Sequence, residues 1–436
     1  MLVTQFICQP GGSIRGELRV PGDKSISHRS VILASIAVGV SQVTGFLRGE
    51  DSLNTIRAFQ QMGVEIEREG GRVRVNGAGL NGLRAPTADL DMGNSGTAMR
   101  LLLGLLAGQP FDARLVGDRS LSSRPMQRVI EPLQKMGAII ESETGGRAPL
   151  QVRGGQRLKA IEYDMPVASA QVKSCLLLAG IYAEGETVVR EPAPTRDHSE
   201  RMLSGFGCEV VSADGEIRMR GGQVLRACDI DVPADISSAA FFMVAAAIAG
   251  EGEIRLQHVG VNPTRTGVID ILRMMGADIE ILNRREIGGE PVADILLRCS
   301  KLRGIEIPPE LVPLAIDEFP VLFVAAACAD GVTRLSGAEE LRVKESDRIQ
   351  VMADGLTILG IDNQVQADGI VIHGGSIDGG TVDSHGDHRI AMAFAVASLA
   401  ARNEIRIRDC ANVNTSFPGF AELAQRAGIR IALDAE

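Results

Sequence analysis

Six stretches of the chain are apolar on nearly every side of a helix: SHRSVILASIAVG, GTAMRLLLGLLAG, SAQVKSCLLLAGI, SSAAFFMVAAAIAG, EFPVLFVAAACADG and HRIAMAFAVASLAA. A helix without a polar face belongs in an interior, packed closely through alanine and glycine. Downstream of each comes a second phrase: FQQMGVEIERE, LQKMGAIIESE, LSGFGCEVVSA, LRMMGADIEIL, LTILGIDNQVQ and LAQRAGIRIAL. Here helix-spaced apolar residues stop at a glycine (Gly63, Gly137, Gly207, Gly276, Gly360, Gly428), and the alternation of a strand follows. These glycines lie 68 to 84 residues apart, close to one sixth of the 436-residue chain and far beyond a solenoid period. The repeat therefore reads strand, buried helix, strand, outer helix, strand. Three repeats per globule predict two similar α/β domains, each enclosing its buried helices with sheets.

Composition narrows the possibilities. A length of 436 residues with 45% hydrophobic content exceeds one compact domain, which agrees with two. No apolar run reaches the roughly 18 residues that span a bilayer, and MLVTQFICQPGG lacks the layout of a signal peptide, so a cytoplasmic protein is expected. The seven cysteines are scattered and never form CxxC or CxxH, which argues for reduced thiols and no zinc site. A formal charge of −10, no tryptophan and two tyrosines disfavour a nucleic-acid surface. An anionic ligand must then meet a local cluster of cations.

Such clusters sit where the buried helices begin: DKSISHR, GNSGTAMR, ASAQVKS, ADISSAA, IDEFP and GDHRIAM. Helix N-termini offer unpaired N–H groups and a positive dipole end, although Asp, Ser and Asn there are also ordinary caps. PGDKSISHR sets Lys24 and Arg29 beside Ser25, read as the capping residue, and could cradle a phosphate or carboxylate. GNSGTAMR places Gly93, Ser95 and Gly96 where a ligand can approach the main chain. DRSLSSRPM puts Arg119 and Arg124 in a loop before Pro125, and arginine suits bidentate contacts to such anions. VKESDR, with Lys344, Glu345 and Arg348, reads by itself as an exposed helix face with i,i+4 pairing. Asp317 and Glu318 precede an apolar helix, either as a proton-transfer carboxylate tuned by partial burial or as an N-cap pair. HGDHRIAM brings together His385, Asp387, His388 and Arg389; no third ligand follows by spacing, and the arginine suits an anion better than a metal.

In this order and at these intervals, PGDKSxxHR, GNSGTAMR, DxSLxxRPM, SAQVKS, VKESDR and GDHRIAM closely resemble the 5-enolpyruvylshikimate-3-phosphate synthase family, from the first strand to the FPGF near the C-terminus. The resemblance implies an enolpyruvyl transferase-like fold of two three-repeat domains, residues 21–232 and residues 1–20 with 233–436, closing over substrates in the cleft between them. It implies transfer of the enolpyruvyl group of phosphoenolpyruvate to the 5-hydroxyl of shikimate 3-phosphate, by addition and elimination, on the pathway to chorismate and aromatic amino acids. Lys24, Ser25, Arg29, Ser169, Gln171, Arg196, Asp317 and Lys344 would then meet shikimate 3-phosphate. Lys24, Gly96, Arg124, Gln171, Arg348 and Arg389 would hold phosphoenolpyruvate. Asp317, Glu345, Lys24 and His388 would share proton transfer and phosphate departure. The resemblance implies no metal, no cofactor, no nucleic-acid partner and a monomer.

Two departures stand out. Many members have a lysine before the final Phe-Pro, where this chain has Thr415 in NVNTSFPGF. PTRDHSE replaces the tyrosine-containing segment of the plant and enteric type and resembles the other bacterial subgroup, which is what points to Arg196. Tolerant members of that subgroup often carry alanine where this chain has Gly96, so the site is expected to admit glyphosate, the family's inhibitor. The nearest alternative is UDP-N-acetylglucosamine 1-carboxyvinyltransferase, which typically carries a reactive cysteine before its Arg-Pro; VGDRSLSSRPM has none. Relatives of RNA 3'-phosphate cyclase are a further class, disfavoured by the acidic balance.

Overall fold

Each marker glycine ends a helix, and in all six the backbone turns left-handed there, with φ between 82° and 111°. Glycine alone adopts this φ without a Cβ penalty. The residue after it donates to the carbonyl five positions back: Val64 to Phe59, Ala138 to Leu133, Cys208 to Leu203, Ala277 to Leu272, Ile361 to Leu356 and Ile429 to Ala424, all at 2.9–3.0 Å. This pairing satisfies carbonyls that the helix end would orphan, and aims the chain into the next strand.

The computed structural model describes residues 4–435; Met1–Val3, the first positions of the expected 1–20 stretch, and Glu436 lie outside the described residues. The six repeats contribute the helix pairs α1 (Lys24–Ile36) and α2 (Glu50–Gln61), α3 (Gly96–Ala107) and α4 (Gln127–Lys135), α5 (Ala170–Gly180) and α6 (His198–Gly205), α7 (Ile236–Ile248) and α8 (Gly267–Met274), α9 (Phe319–Ala327) and α10 (Arg348–Ile358), α11 (His388–Ala397) and α12 (Phe420–Ala427). The first helix of each pair is the apolar one. In α9 every residue is buried, and in α7 all but the last.

Every repeat also has a strand beyond the expected alternation. In the first five repeats the chain makes a hairpin after the outer helix, so the second repeat's sheet runs Leu90–Asp91, Ala113–Val116, Arg147–Arg153, Ile139–Glu143, with a parallel first pair and antiparallel partners after it. Three strands come from distant chain. Ile230–Asp231 opens the first repeat's sheet, Ile14–Leu18 opens the fourth, and Thr4–Cys8 lies between Ile405–Arg408 and Ile431–Ala435 in the sixth. In the fifth repeat the opening strand is reduced to two bridges, Arg303 with Asp330 and Glu306 with Arg334.

Two compact bodies result. One comprises Gly22–Val232 with Glu286–Glu290, and is called the N-terminal domain below; the other comprises Met1–Pro21, Pro233–Arg285 and Pro291–Glu436. Each has its own apolar core, made of its three buried helices and the inner faces of its sheets. The helices approach so closely that a Cβ on Gly104 in α3 would lie 2.2 Å from the Cys175 carbonyl oxygen in α5. Among the described residues, no helix is long and apolar enough to cross a membrane.

Because the atom opposing Gly104 is main chain and cannot rotate away, Gly104→Ala should destabilise the protein by about 1–3 kcal/mol, the usual cost of overpacking a core. Urea denaturation checks this, and an unchanged midpoint would show that α3 and α5 can separate freely.

Candidate functional site

Both domains bring their unusual residues to the starts of the buried helices. In the N-terminal domain the cap of α1 is Asp23, whose Oδ1 accepts the Ile26 N–H at 2.8 Å. This corrects the expectation for Ser25, which lies within the first turn. Asp23 caps better because the residue before the turn holds extended backbone and aims its carboxylate back at the free N–H groups. Ser95 caps α3 and Ser169 caps α5. Lys24 pairs with Asp51 of α2, a partner without any sequence signal.

Arg29 is 4% exposed and is held by neutral groups: Nε donates to Ser199 Oγ at 2.7 Å, Nη2 to Ser174 Oγ at 2.6 Å and Nη1 to the Ser25 carbonyl at 3.1 Å. Burial pulls its pKa down to about 10, with the Glu200 and Asp23 charges opposing and Arg196 adding to the fall. His28, fully buried, joins three elements: Nδ1 lies 2.7 Å from Thr55 Oγ1 of α2, and Nε2 lies 3.4 Å from the α3 cap Ser95. Burial first, then the Lys24 and Arg29 charges, hold its pKa well below the usual value.

At the start of α3 the main chain is exposed by small side chains, and Gly96 has two guanidiniums beside it. A Cβ there would stand 2.9 Å from Arg100 Nη1 and 3.4 Å from Arg124 Nη1. Arg124 follows a short helix, Arg119–Ser123, where a loop was expected, and donates to Asn94 Oδ1 at 2.8 Å and Ser120 Oγ at 3.2 Å. Arg119 is exposed. Gln171 is fixed at both ends of its amide, accepting from Arg100 Nη1 at 2.8 Å and donating to Thr97 Oγ1 at 2.9 Å. The expected set omitted Arg100, although it stands inside GNSGTAMR.

In the C-terminal domain one side chain organises the rest. Arg348 was expected on an exposed helix face; it is the first residue of α10 and is 1% exposed. The reversal has a cause in the partners, because a guanidinium can be buried when each edge meets a carboxylate. Its Nε donates to Asp387 at 2.9 Å, Nη1 to Asp317 at 3.1 Å and Nη2 to Glu345 at 2.5 Å. Burial by itself would lower its pKa, but the Asp387, Glu345 and Asp317 charges outweigh burial and raise it far above the usual value.

Asp387 also caps α11 through the Arg389 N–H and accepts from Ser346 Oγ at 3.2 Å. Its carboxylate is thus engaged by a cation and two further donors, while His385 is exposed. Arg389 Nη1 donates to the Asp317 carbonyl at 3.0 Å. Glu318 occupies the cap position of α9 without a side-chain cap bond, so Asp317 and Glu318 do not act as a capping pair. His388, the first residue of α11, is 7% exposed, and Lys344 Nζ lies 3.4 Å from Glu340. Thr415 bonds the Asn412 carbonyl at 2.7 Å.

Helix starts lined with cations and small residues, on repeats that enclose apolar helices, define the enolpyruvyl transferase type of α/β protein. The family model for EPSP synthase (3-phosphoshikimate 1-carboxyvinyltransferase) matches residues 8–423. The 3-phosphoshikimate 1-carboxyvinyltransferase of Methylococcus capsulatus is 65% identical, with 98% of each chain covered, and that of Nitrosococcus oceani 64%, with 98% of this chain and 96% of the relative covered. A solved structure of EPSP synthase from Acinetobacter baumannii superposes with a TM-score of 0.90 at 54% identity, covering 99% of this chain and 100% of that one. The chain belongs to the EPSP synthase family, enzymes of enolpyruvyl transfer in the shikimate pathway, and the sugar-nucleotide alternative is not favoured.

The lowered pKa of His28 has a consequence for pH. The folded ring refuses the proton that the unfolded chain takes up near 6.5, so the unfolded state binds more protons and this contribution to stability is lost as pH falls below about 6.5. The His28 ring resonances should stay unchanged by NMR from pH 8 to 5.5 while the urea midpoint declines; a ring titrating near 6.5 in the folded protein would contradict this.

Proposed function

We propose that the chain transfers the enolpyruvyl group of phosphoenolpyruvate to the 5-hydroxyl of shikimate 3-phosphate with residues of both domains, as a cytoplasmic monomer without metal, cofactor or nucleic-acid partner. The observation that carries the reading is the contact of Asp317, Glu345, Arg348 and Arg389 at the starts of α9, α10 and α11. There, carboxylates for proton transfer and guanidiniums for an anionic substrate meet within hydrogen-bond distance. The reaction needs both. The acceptor hydroxyl attacks C2 of the enol as C3 takes a proton, and phosphate then leaves the tetrahedral intermediate while C3 gives up a proton, which restores the double bond.

Asp317 takes the hydroxyl proton, its carboxylate oriented by Arg348, and Glu345 delivers a proton to C3. Lys24 stabilises the departing phosphate and His388 assists by hydrogen bonding. Arg124, Arg348, Arg389, Gly96, Gln171 and Lys24 hold phosphoenolpyruvate, whose phosphate and carboxylate suit bidentate guanidinium contacts. Three of the five Arg348 N–H donors bond protein carboxylates, one from each nitrogen, and one N–H on each Nη is left for a substrate anion. Lys24, Ser25, Arg29, Ser169, Gln171, Arg196, Asp317 and Lys344 bind shikimate 3-phosphate, with Ser169 and Gln171 placed together by the start of α5.

Purified protein without added metal should release phosphate from phosphoenolpyruvate with shikimate 3-phosphate and not with UDP-N-acetylglucosamine. Asp317→Ala and Glu345→Ala should each lower turnover by at least about 10²-fold, the scale of general acid–base catalysis. Near-normal turnover removes that residue from the mechanism.

Glyphosate should inhibit the enzyme, because the start of α3 carries no methyl group at Gly96. Gly96→Ala should raise the inhibition constant, since its Cβ would press on the Arg100 and Arg124 guanidiniums. A wild-type inhibition constant far above the KM for phosphoenolpyruvate would refute the argument.

A further inference from the structure

Two serines, Ser174 in α5 and Ser199 in α6, belong to none of the groups assigned above, yet both lie on the Arg29 guanidinium. Their hydrogen bonds run in one direction. Ser199 Oγ donates to Ser174 Oγ at 2.7 Å, and Ser174 Oγ donates to the Ala170 carbonyl at 2.6 Å. With each hydroxyl proton spent down the chain, both oxygens are left as acceptors toward Arg29. A guanidinium has five N–H donors. Three are committed, to Ser199, Ser174 and the Ser25 carbonyl, and one N–H on each Nη remains, the pair that a carboxylate or phosphate takes in a bidentate contact.

The charges next to this chain are kept apart from it. Glu200, the neighbour of Ser199, is buried, but its carboxylate is paired with Lys173 Nζ at 2.6 Å, and the same ammonium lies 3.0 Å from Glu191. Lys173 itself is 1% exposed and adjoins Ser174 in α5. The Lys173 ammonium thus draws Glu200 into an ion pair of its own and locks α5 to α6 at the level of the two serines. Arg29 is gripped by neutral oxygens, in contrast to Arg348, whose three nitrogens all face carboxylates. A neutral grip fixes the fork without a carboxylate among its three bonds, while the Glu200 and Asp23 charges act on it through space.

We infer that Ser174 and Ser199 are positioning residues for the acceptor substrate, holding the Arg29 fork toward shikimate 3-phosphate without neutralising it. This rests on the reading of Arg29 as an acceptor-binding residue. Arg29 is the one charged group these serines bond, their other bonds being to each other and to the Ala170 carbonyl, so they govern acceptor affinity and leave the handling of phosphoenolpyruvate to the starts of α3, α10 and α11.

Steady-state phosphate release with each substrate varied separately tests this in Ser174→Ala, Ser199→Ala, Ser199→Thr, Arg29→Ala and the Ser199→Ala/Arg29→Ala double variant. Each serine-to-alanine change should raise the KM for shikimate 3-phosphate about tenfold, as loss of a hydrogen bond to a charged group does, with the KM for phosphoenolpyruvate and kcat within about twofold. Ser199→Thr keeps the hydroxyl and should restore the acceptor KM. The double variant should match Arg29→Ala, because removing the grip matters only while the guanidinium is present. Equal changes in both KM values together with a lowered Tm would mean a merely structural role and overturn the inference. So would unchanged acceptor KM in the serine variants alongside a raised one in Arg29→Ala. If Arg29→Ala itself leaves the acceptor KM unchanged, the reading of Arg29 fails and the role of the serines falls with it.

Discussion

A helix with no polar face can meet water only at its ends. The structure follows from that constraint: each apolar helix is enclosed by sheets and by its amphipathic partner, and its N-terminus is what remains for chemistry. Those ends carry orphan N–H groups and a positive dipole, so each must be capped, and the caps are short acids and serines: Asp23, Ser95, Ser169, Asp235 and Asp387. The sixth start, at α9, has no side-chain cap and carries Asp317 instead. The cap position there is Glu318, and Asp317, proposed above to take the hydroxyl proton, stands just before it.

Buried guanidiniums are handled in two opposite ways. Arg348 has a carboxylate on each nitrogen, and Asp387 holds it while capping α11, so this ionic cluster ties the start of α10 to the start of α11. Truncating one member of such a cluster leaves buried charge uncompensated, at a cost of about 3–5 kcal/mol. Arg29 is surrounded by hydroxyls and a carbonyl, where each bond is weaker but no opposite charge is brought into contact. The first arrangement favours rigidity of the cluster; the second favours a guanidinium still able to attract an anion.

Much of this was legible in the sequence because it is local. A glycine closing an amphipathic helix signals a C-cap, an unbroken apolar helix signals burial, and both recur six times. What stayed hidden depends on partners far along the chain. VKESDR looks like a solvated helix face because two of the acids that Arg348 meets stand far along the chain, Asp317 before α9 and Asp387 in the next repeat. Ser25 and Asp23 are equally good caps by composition, and only backbone geometry chooses between them. Arg100 was written inside a motif already singled out, but its contact with Gln171 spans two helices. The hairpin strand of the first five repeats is hard to read because phrases such as RVRVNGA and APLQVR alternate only briefly beside charged turns.

The three borrowed strands make the two domains unequal in time. Every sheet strand of the first three repeats, up to Ile230–Asp231, is made before the strands that lie within the last three. The other domain is in the reverse position: Ile14–Leu18 must wait for Gly252–Gly260, and Thr4–Cys8 finds its two neighbours only when Ile405–Arg408 and Ile431–Ala435 emerge. Until those neighbours are made, Thr4–Cys8 is a β-segment with an open edge, the kind of edge to which another chain can add.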